Sequence, residues 1–168
     1  RVTPHETVYR VFDPRSGREA VLRHLAESEM EDAIRPDEFR QRFAAAAALR
    51  HPNLAATLEV LEINDRPAAL QEWLVGVPSC DWPPLVAVPG VWFRLLGQAA
   101  LGLHTAHQAG LVHGRLQAES IVLTGEGIVK ICGVGEPPWL HSPTLPPGDA
   151  VGDLRALGAL TAAWLAAA

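Results

Sequence analysis

The segment from Val91 to Gly135 restricts the fold of this chain more than any other. Trp92, Leu95, Leu96, Ala99, Leu103 and Ala106 recur on one face at helical spacing, and Gly110 ends the pattern, which predicts a helix over Val91–Ala109. A polar stretch follows, with His113, Gly114, Arg115, Gln117 and Ser120. The apolar Ile121-Val122-Leu123 then predicts a strand, Gly125-Glu126-Gly127 a hairpin turn, and Ile128 to Cys132 a second strand. Gly133-Val134-Gly135 closes the segment. A polar loop is thus framed by a helix and a hairpin.

Upstream, Thr7-Val8-Tyr9-Arg10-Val11-Phe12 is β-rich and runs into the turn Asp13-Pro14-Arg15-Ser16-Gly17, after which Glu19 to Leu25 reads as a second strand. The pattern becomes helical at Pro36, which suits a first helical position, with Asp37 and Glu38 in the first turn and Phe39, Phe43, Ala46 and Ala47 at helical spacing. Thr57 to Ile63 and Ala68 to Leu74 read as two further strands around Asn64-Asp65-Arg66-Pro67. The proline-rich stretch from Val77 to Gly90 reads as a linker, with Trp82-Pro83-Pro84 as a surface turn packing one aromatic.

A chain of 168 residues, 48% of them hydrophobic, can bury a core as one domain or two small lobes. The net charge of −5, with no basic stripe, argues against nucleic acid as a partner. There is no signal peptide, and the apolar run from Ala156 to Ala168 is too short to span a bilayer, so membrane insertion by this segment is not expected. The missing initiator Met and the Ala-Ala-Ala end suggest a piece of a longer protein. Cys80 and Cys132 lie far apart and read as small buried hydrophobes, which fits a reducing, cytoplasmic setting. His104, His107 and His113 could meet around zinc, but no clear acidic partner accompanies them, and no metal is expected.

Several stretches taken together resemble the protein kinases, and among them the bacterial Hanks-type serine/threonine kinases. Leu111 to Leu123 is similar to the catalytic loop H-R-D-L-K-x-x-N-I-L-L, Leu49-Arg50-His51-Pro52-Asn53-Leu54 to L-x-H-P-N-I, and Val151 to Gly158 to D-x-x-x-L-G. Gln71-Glu72-Trp73-Leu74-Val75-Gly76 resembles the hinge M-E-Y-V-E-G, making Glu72, Trp73 and Leu74 the hinge candidates. The resemblance implies an α+β, two-lobed fold: a small antiparallel-sheet N-lobe with a helix C over 1–74, a hinge and linker over 75–90, and a mainly helical C-lobe over 91–168 that ends after helix F.

The same resemblance implies a degenerate site. Arg23 stands at the strand lysine, Arg42 at the helix C glutamate, Arg115 at the catalytic Asp, Gln117 at the Lys, Ser120 at the Asn and Gly133 at the magnesium-binding Asp. Arg1, Thr3 and Glu6 occupy the phosphate loop in place of glycines, which elsewhere bring backbone N–H groups against phosphates. Val21 falls where the family keeps a small Ala over the adenine, and its added methyl groups would tend to fill the space a base needs. His113 and Asp153 stand at retained scaffold positions. Arg23 reads either as an ordinary strand charge or as a substituted phosphate ligand. Two guanidinium groups about 4 Å apart would repel by ~4 kcal/mol at an effective dielectric near 20, so Arg42 is expected to turn outward.

These substitutions lead to the expectation of a pseudokinase: no enzyme, no cofactor, and a scaffold or regulatory role through protein contacts. The alternative is a metal-independent nucleotide or anion binder, or an atypical phosphotransferase, using Arg23, Arg42 and Arg115. Leu154, Leu157, Leu160, Trp164 and Leu165 spread apolar bulk around the last helix, which predicts that it is covered by the rest of the polypeptide, by a second copy or by another protein. Alternatively Trp139 and Leu140 fold over it.

Overall fold

The computed structural model describes residues 1–82, 89–141 and 147–167. They form two compact units, each assembled from separate parts of the chain: 1–50, 56–73 and 135–141 in the first, 51–55, 74–82, 89–134 and 147–167 in the second.

The first unit is a four-stranded antiparallel sheet with one long helix. Strands β1 (Glu6–Asp13) and β2 (Arg18–Leu25) pair across the predicted turn, and β3 (Thr57–Ile63) and β4 (Arg66–Glu72) form a second hairpin. The order is β1-β2-β4-β3, so the hairpins join through β2 and β4, with Ala20 opposite Glu72 and His24 opposite Ala68. The expectation that Ala20–Leu25 and Ala68–Leu74 lie side by side in one sheet holds for Ala20 to His24 against Ala68 to Glu72, where β4 ends; Leu74 belongs to the second unit.

Helix α1 (Arg35–Ala48) starts with Pro36 and acidic Asp37 and Glu38, which suit the unpaired N–H groups and positive end of a first turn. Its apolar stripe places Phe39 and Phe43, both fully buried, against Leu25 and Ala69 of the sheet, with the two rings 4.5 Å apart. Burying each ring is worth roughly 1.5–3 kcal/mol relative to exposure. Trp139 and Leu140, which the sequence offered as a cover for the last helix, complete this core of the first unit.

The second unit is built on helix α2 (Pro89–Gln108), a three-stranded sheet in the order β5 (Gly76–Pro78), β6 (Ile121–Thr124), β7 (Val129–Ile131), and helix α3 (Ala150–Ala167). Asn53 ties this unit together: its side-chain amide donates to the Val129 carbonyl at 2.8 Å and to Gln98 Oε1 at 3.0 Å. Trp82, Trp92 and Trp164 form a buried cluster with ring centroids 5.1–6.1 Å apart. Trp82 is fully buried and donates its indole N–H to the Val77 carbonyl, so it belongs to a core rather than a surface turn. Pro83 and Pro84 lie outside the described residues.

Helix α3 divides its apolar residues between two environments. Leu157 and Trp164 are buried, while Val151, Leu154 and Leu165 are each more than half exposed. Cys80 is exposed and Cys132 half-buried, and both are free thiols. The expectation of two small buried cysteines therefore fails at Cys80.

Candidate functional site

The polar loop after α2 is shaped by one buried carboxylate. Asp153, in the first turn of α3 and only 1% exposed, accepts the backbone N–H of His113 through Oδ2 and that of Gly114 through Oδ1, both at 2.8 Å. Its Oδ2 also accepts from His107 Nε2 at 2.9 Å. A carboxylate only accepts, so the His107 proton sits on Nε2. His107 thus has the acidic partner that sequence reasoning did not find for it.

His113 then links the loop to the hairpin. Its Nε2 donates to the Cys132 carbonyl at 2.8 Å, while its Nδ1 accepts the Arg115 backbone N–H at 3.2 Å. These partners define the neutral Nε2–H tautomer. The Cys132 N–H donates in turn to the Ser120 carbonyl at 2.8 Å. Gly114 has φ +72°, a left-handed conformation that favours glycine. Leu111 and Leu116 are buried on the core side of the loop.

Side chains at the remaining loop positions face outward. Arg115 and Gln117 are exposed. Arg115 borders a cavity of about 270 Å³ whose lining includes Gly114, Asp149, Gly152 and Asp153. Ser120 ends a single 3-10 turn before β6. Gly133 has φ +87° and brings no side-chain oxygen, so Ser120 and Gly133 do not make a magnesium ligand pair. Among the described residues no cluster of three or more His, Cys, Asp or Glu side chains is placed to hold a metal ion.

The strand arginine lies in the first unit, within an ion network. Arg23 Nε and Nη2 donate to the two oxygens of Glu6 at 2.9 and 2.5 Å, and Nη1 donates to Glu136 Oε1 at 2.7 Å. His141 Nε2 lies 2.9 Å from the other oxygen of Glu136. Glu6 and Glu136 are both buried, and the Arg23 side chain is 13% exposed. Arg42 does not turn outward. Its Nε donates to the Gly135 carbonyl and its Nη2 to the Glu136 carbonyl, each at 3.3 Å. Arg23 thus faces two carboxylates and Arg42 two backbone carbonyls, so each guanidinium has acceptors of its own where mutual repulsion was expected. Sequence reasoning assigned no role to Glu136, and Glu6 drew notice only as a missing glycine. A counter-charge 113 residues distant from Arg23 leaves no local pattern to read.

Of the hinge candidates, Glu72 ends β4 and its Oε2 accepts the Ala56 N–H at 3.1 Å. The Trp73 ring carries the Arg10 guanidinium 4.7 Å from its centre, a cation–π contact. Leu74 falls in the second unit. Arg23 and Arg42 belong to the first unit and Arg115 to the second.

No family model matches the chain. It is 30% identical over 136 residues to the serine/threonine-protein kinase PknL of Mycobacterium tuberculosis, a match covering 77% of this chain and 33% of that protein. It is 26% identical over 148 residues to mouse cyclin-dependent kinase-like 4, covering 87% and 42% respectively. A probable serine/threonine-protein kinase of Bifidobacterium longum, PknA2, matches at 25% over 135 residues, 18% of its length. The chain therefore spans less than half of each of these curated relatives. Among solved structures, the M. tuberculosis PknI kinase domain superposes with a TM-score of 0.69 at 24% identity, covering 99% of this chain and 69% of that one.

These matches overturn the expectation of a non-enzyme. The relatives are named kinases and point to a kinase.

Proposed function

Because the chain belongs to the protein kinase-like superfamily, beside the bacterial Hanks-type serine/threonine kinases, we propose that it serves phosphorylation signalling as a regulatory domain that binds protein. The bound protein is a separate partner, further sequence of the same polypeptide, or a second copy of the chain. The observation that carries this reading is the outer side of α3. Val151, Leu154 and Leu165 are exposed there, and Leu160 borders an open groove of about 550 Å³ with Leu116, Ala156 and Ala159. Exposed apolar surface of more than a few hundred Å² marks contact sites more often than plain surface. The free thiols of Cys80 and Cys132 support a reducing, cytoplasmic setting.

The competing reading, an anion site made by Arg23, Arg42 and Arg115, has less behind it. Arg23 is engaged by two buried carboxylates and Arg42 by two carbonyls of the first unit. Sedimentation and fluorescent-dye binding test the proposal. The purified chain is expected to bind an apolar dye and to self-associate as concentration rises. A dye-negative monomer at high concentration would show a self-contained surface with no docking role.

A further inference from the structure

The sheet of the first unit has a second face, opposite α1. Side chains alternate between faces along a strand, and residues paired across strands share one. Leu25 on β2, Val60 on β3 and Ala69 on β4 pack in the core with α1. Leu22, Leu61, Ile63 and Leu70 therefore fall on the other face, as does Val11, which pairs with Ala20. Leu70 is buried there, and Val11, Leu22, Leu61 and Ile63 are half-buried. Together they floor a cavity of about 370 Å³.

The tip of the β1–β2 hairpin arches over this floor. Asp13, Pro14 and Arg15 line the cavity, and Arg15 Nη2 donates to Glu59 Oε2 on β3 at 2.6 Å. Since the sheet order is β1-β2-β4-β3, that contact reaches over both inner strands. Asp13 holds the tip in this shape: its Oδ1 accepts the Arg15 backbone N–H at 3.0 Å and its Oδ2 the Ser16 hydroxyl at 2.8 Å. The mouth thus carries two carboxylates against one guanidinium, an excess of negative charge. Both Asp13 oxygens are engaged, whereas among the described residues Glu59 Oε1 has no donor. An anion entering here would have to displace a carboxylate from Arg15. A cation would displace nothing.

We propose that this cavity binds a cationic amphiphile, an ammonium group on an apolar chain, with the head at Glu59 Oε1 and the chain along the aliphatic floor. A dry cavity of about 150 Å³ holds benzene, so this volume suits a chain of roughly twelve carbons. Ligand pockets are mostly apolar and orient their ligand through a few polar groups, which is the composition found here. The Arg15–Glu59 pair is well exposed on both sides, so it holds weakly and swings aside at little cost to admit the chain. The site belongs to the first unit and does not rest on the contact surface of α3.

Isothermal titration of the chain with dodecylammonium chloride tests this, below the micelle-forming concentration and at about pH 7, where the amine stays protonated. Saturable binding is expected, about tenfold tighter than that of dodecanoate. Glu59→Gln should weaken it about fivefold, the scale of one exposed ion pair. Leu61→Trp fills the floor and should weaken it about tenfold with Glu59 in place. Glu126→Gln removes the same charge from an exposed turn of the second unit and should leave affinity within about twofold. Backbone amide shifts at Val11, Leu22, Leu61 and Leu70 should move on titration. Equal affinity for dodecanoate would overturn the choice of a cationic head. Equal losses in Glu59→Gln and Glu126→Gln, shifts confined to other residues, or no saturable binding would overturn the site itself.

Discussion

Asp153 shows how a single buried residue fixes a loop with no regular structure. It takes two backbone N–H groups and one imidazole N–H at 1% exposure, so its removal would orphan donors that water cannot readily reach. Each orphaned buried donor costs about 1–3 kcal/mol. Asp153→Ala is therefore expected to lower stability by about 3–5 kcal/mol in urea titration, and a loss under about 1 kcal/mol would contradict the arrangement. Glu29 gives a pH prediction. Burial raises its pKa, but hydrogen bonds from His5 and Arg35 outweigh burial and hold it below the ordinary 4.5. A depressed carboxyl contributes stability that is present above its unfolded value and lost as pH falls through the folded one. The urea midpoint should accordingly fall as pH drops below 4.5, and Glu29→Gln should flatten part of that slope. Residue identity was legible only where partners are close in sequence or the motif supplies them. Asp153 could be picked out in the D-x-x-x-L-G pattern, whereas the partners of Arg23 could not, since charge alone does not say which of 19 acidic side chains will meet it.

At the scale of elements the sequence was more informative, because periodicity and breakers act locally. The helix expected over Val91–Ala109 spans Pro89–Gln108, and both hairpins of the first unit turn at the predicted polar runs. Helix α3 was harder. Its alanines and leucines blur the distinction between faces, so composition predicted bulk on all sides where the fold buries Leu157 and Trp164 and exposes Leu154. That division yields a paired prediction. Trp164→Ala empties the space against Trp82 and Trp92 and should cost about 3–5 kcal/mol, whereas Leu154→Glu on the exposed side should change stability by no more than about 0.5 kcal/mol. Leu154→Glu should nevertheless reduce dye binding and self-association. Equal destabilisation by the two variants in thermal melts would mean that the buried and exposed sides have been assigned wrongly.

Across the whole molecule, each unit draws its core from distant stretches of chain, which no window along the sequence displays. The segment at 135–141 joins the first unit although it follows the second unit's hairpin, and 51–55 joins the second although both neighbouring segments belong to the first. The first core is Leu25, Phe39, Phe43, Ala69, Trp139 and Leu140, and the second unit has its own aromatic cluster of Trp82, Trp92 and Trp164. Cooperative opening follows contiguous packing, so segments sharing a core should exchange together even when sequence separates them. Phe39→Ala is thus expected to raise exchange at Leu140 and His141 together with β2 and β4, despite a separation of about a hundred residues. Trp164→Ala should instead raise it in α2 and α3. Native-state exchange read at single amides distinguishes this from opening by sequence neighbourhood. If Phe39→Ala loosened β6 and β7 as much as the segment at 135–141, the division into two cores would not describe how this molecule opens.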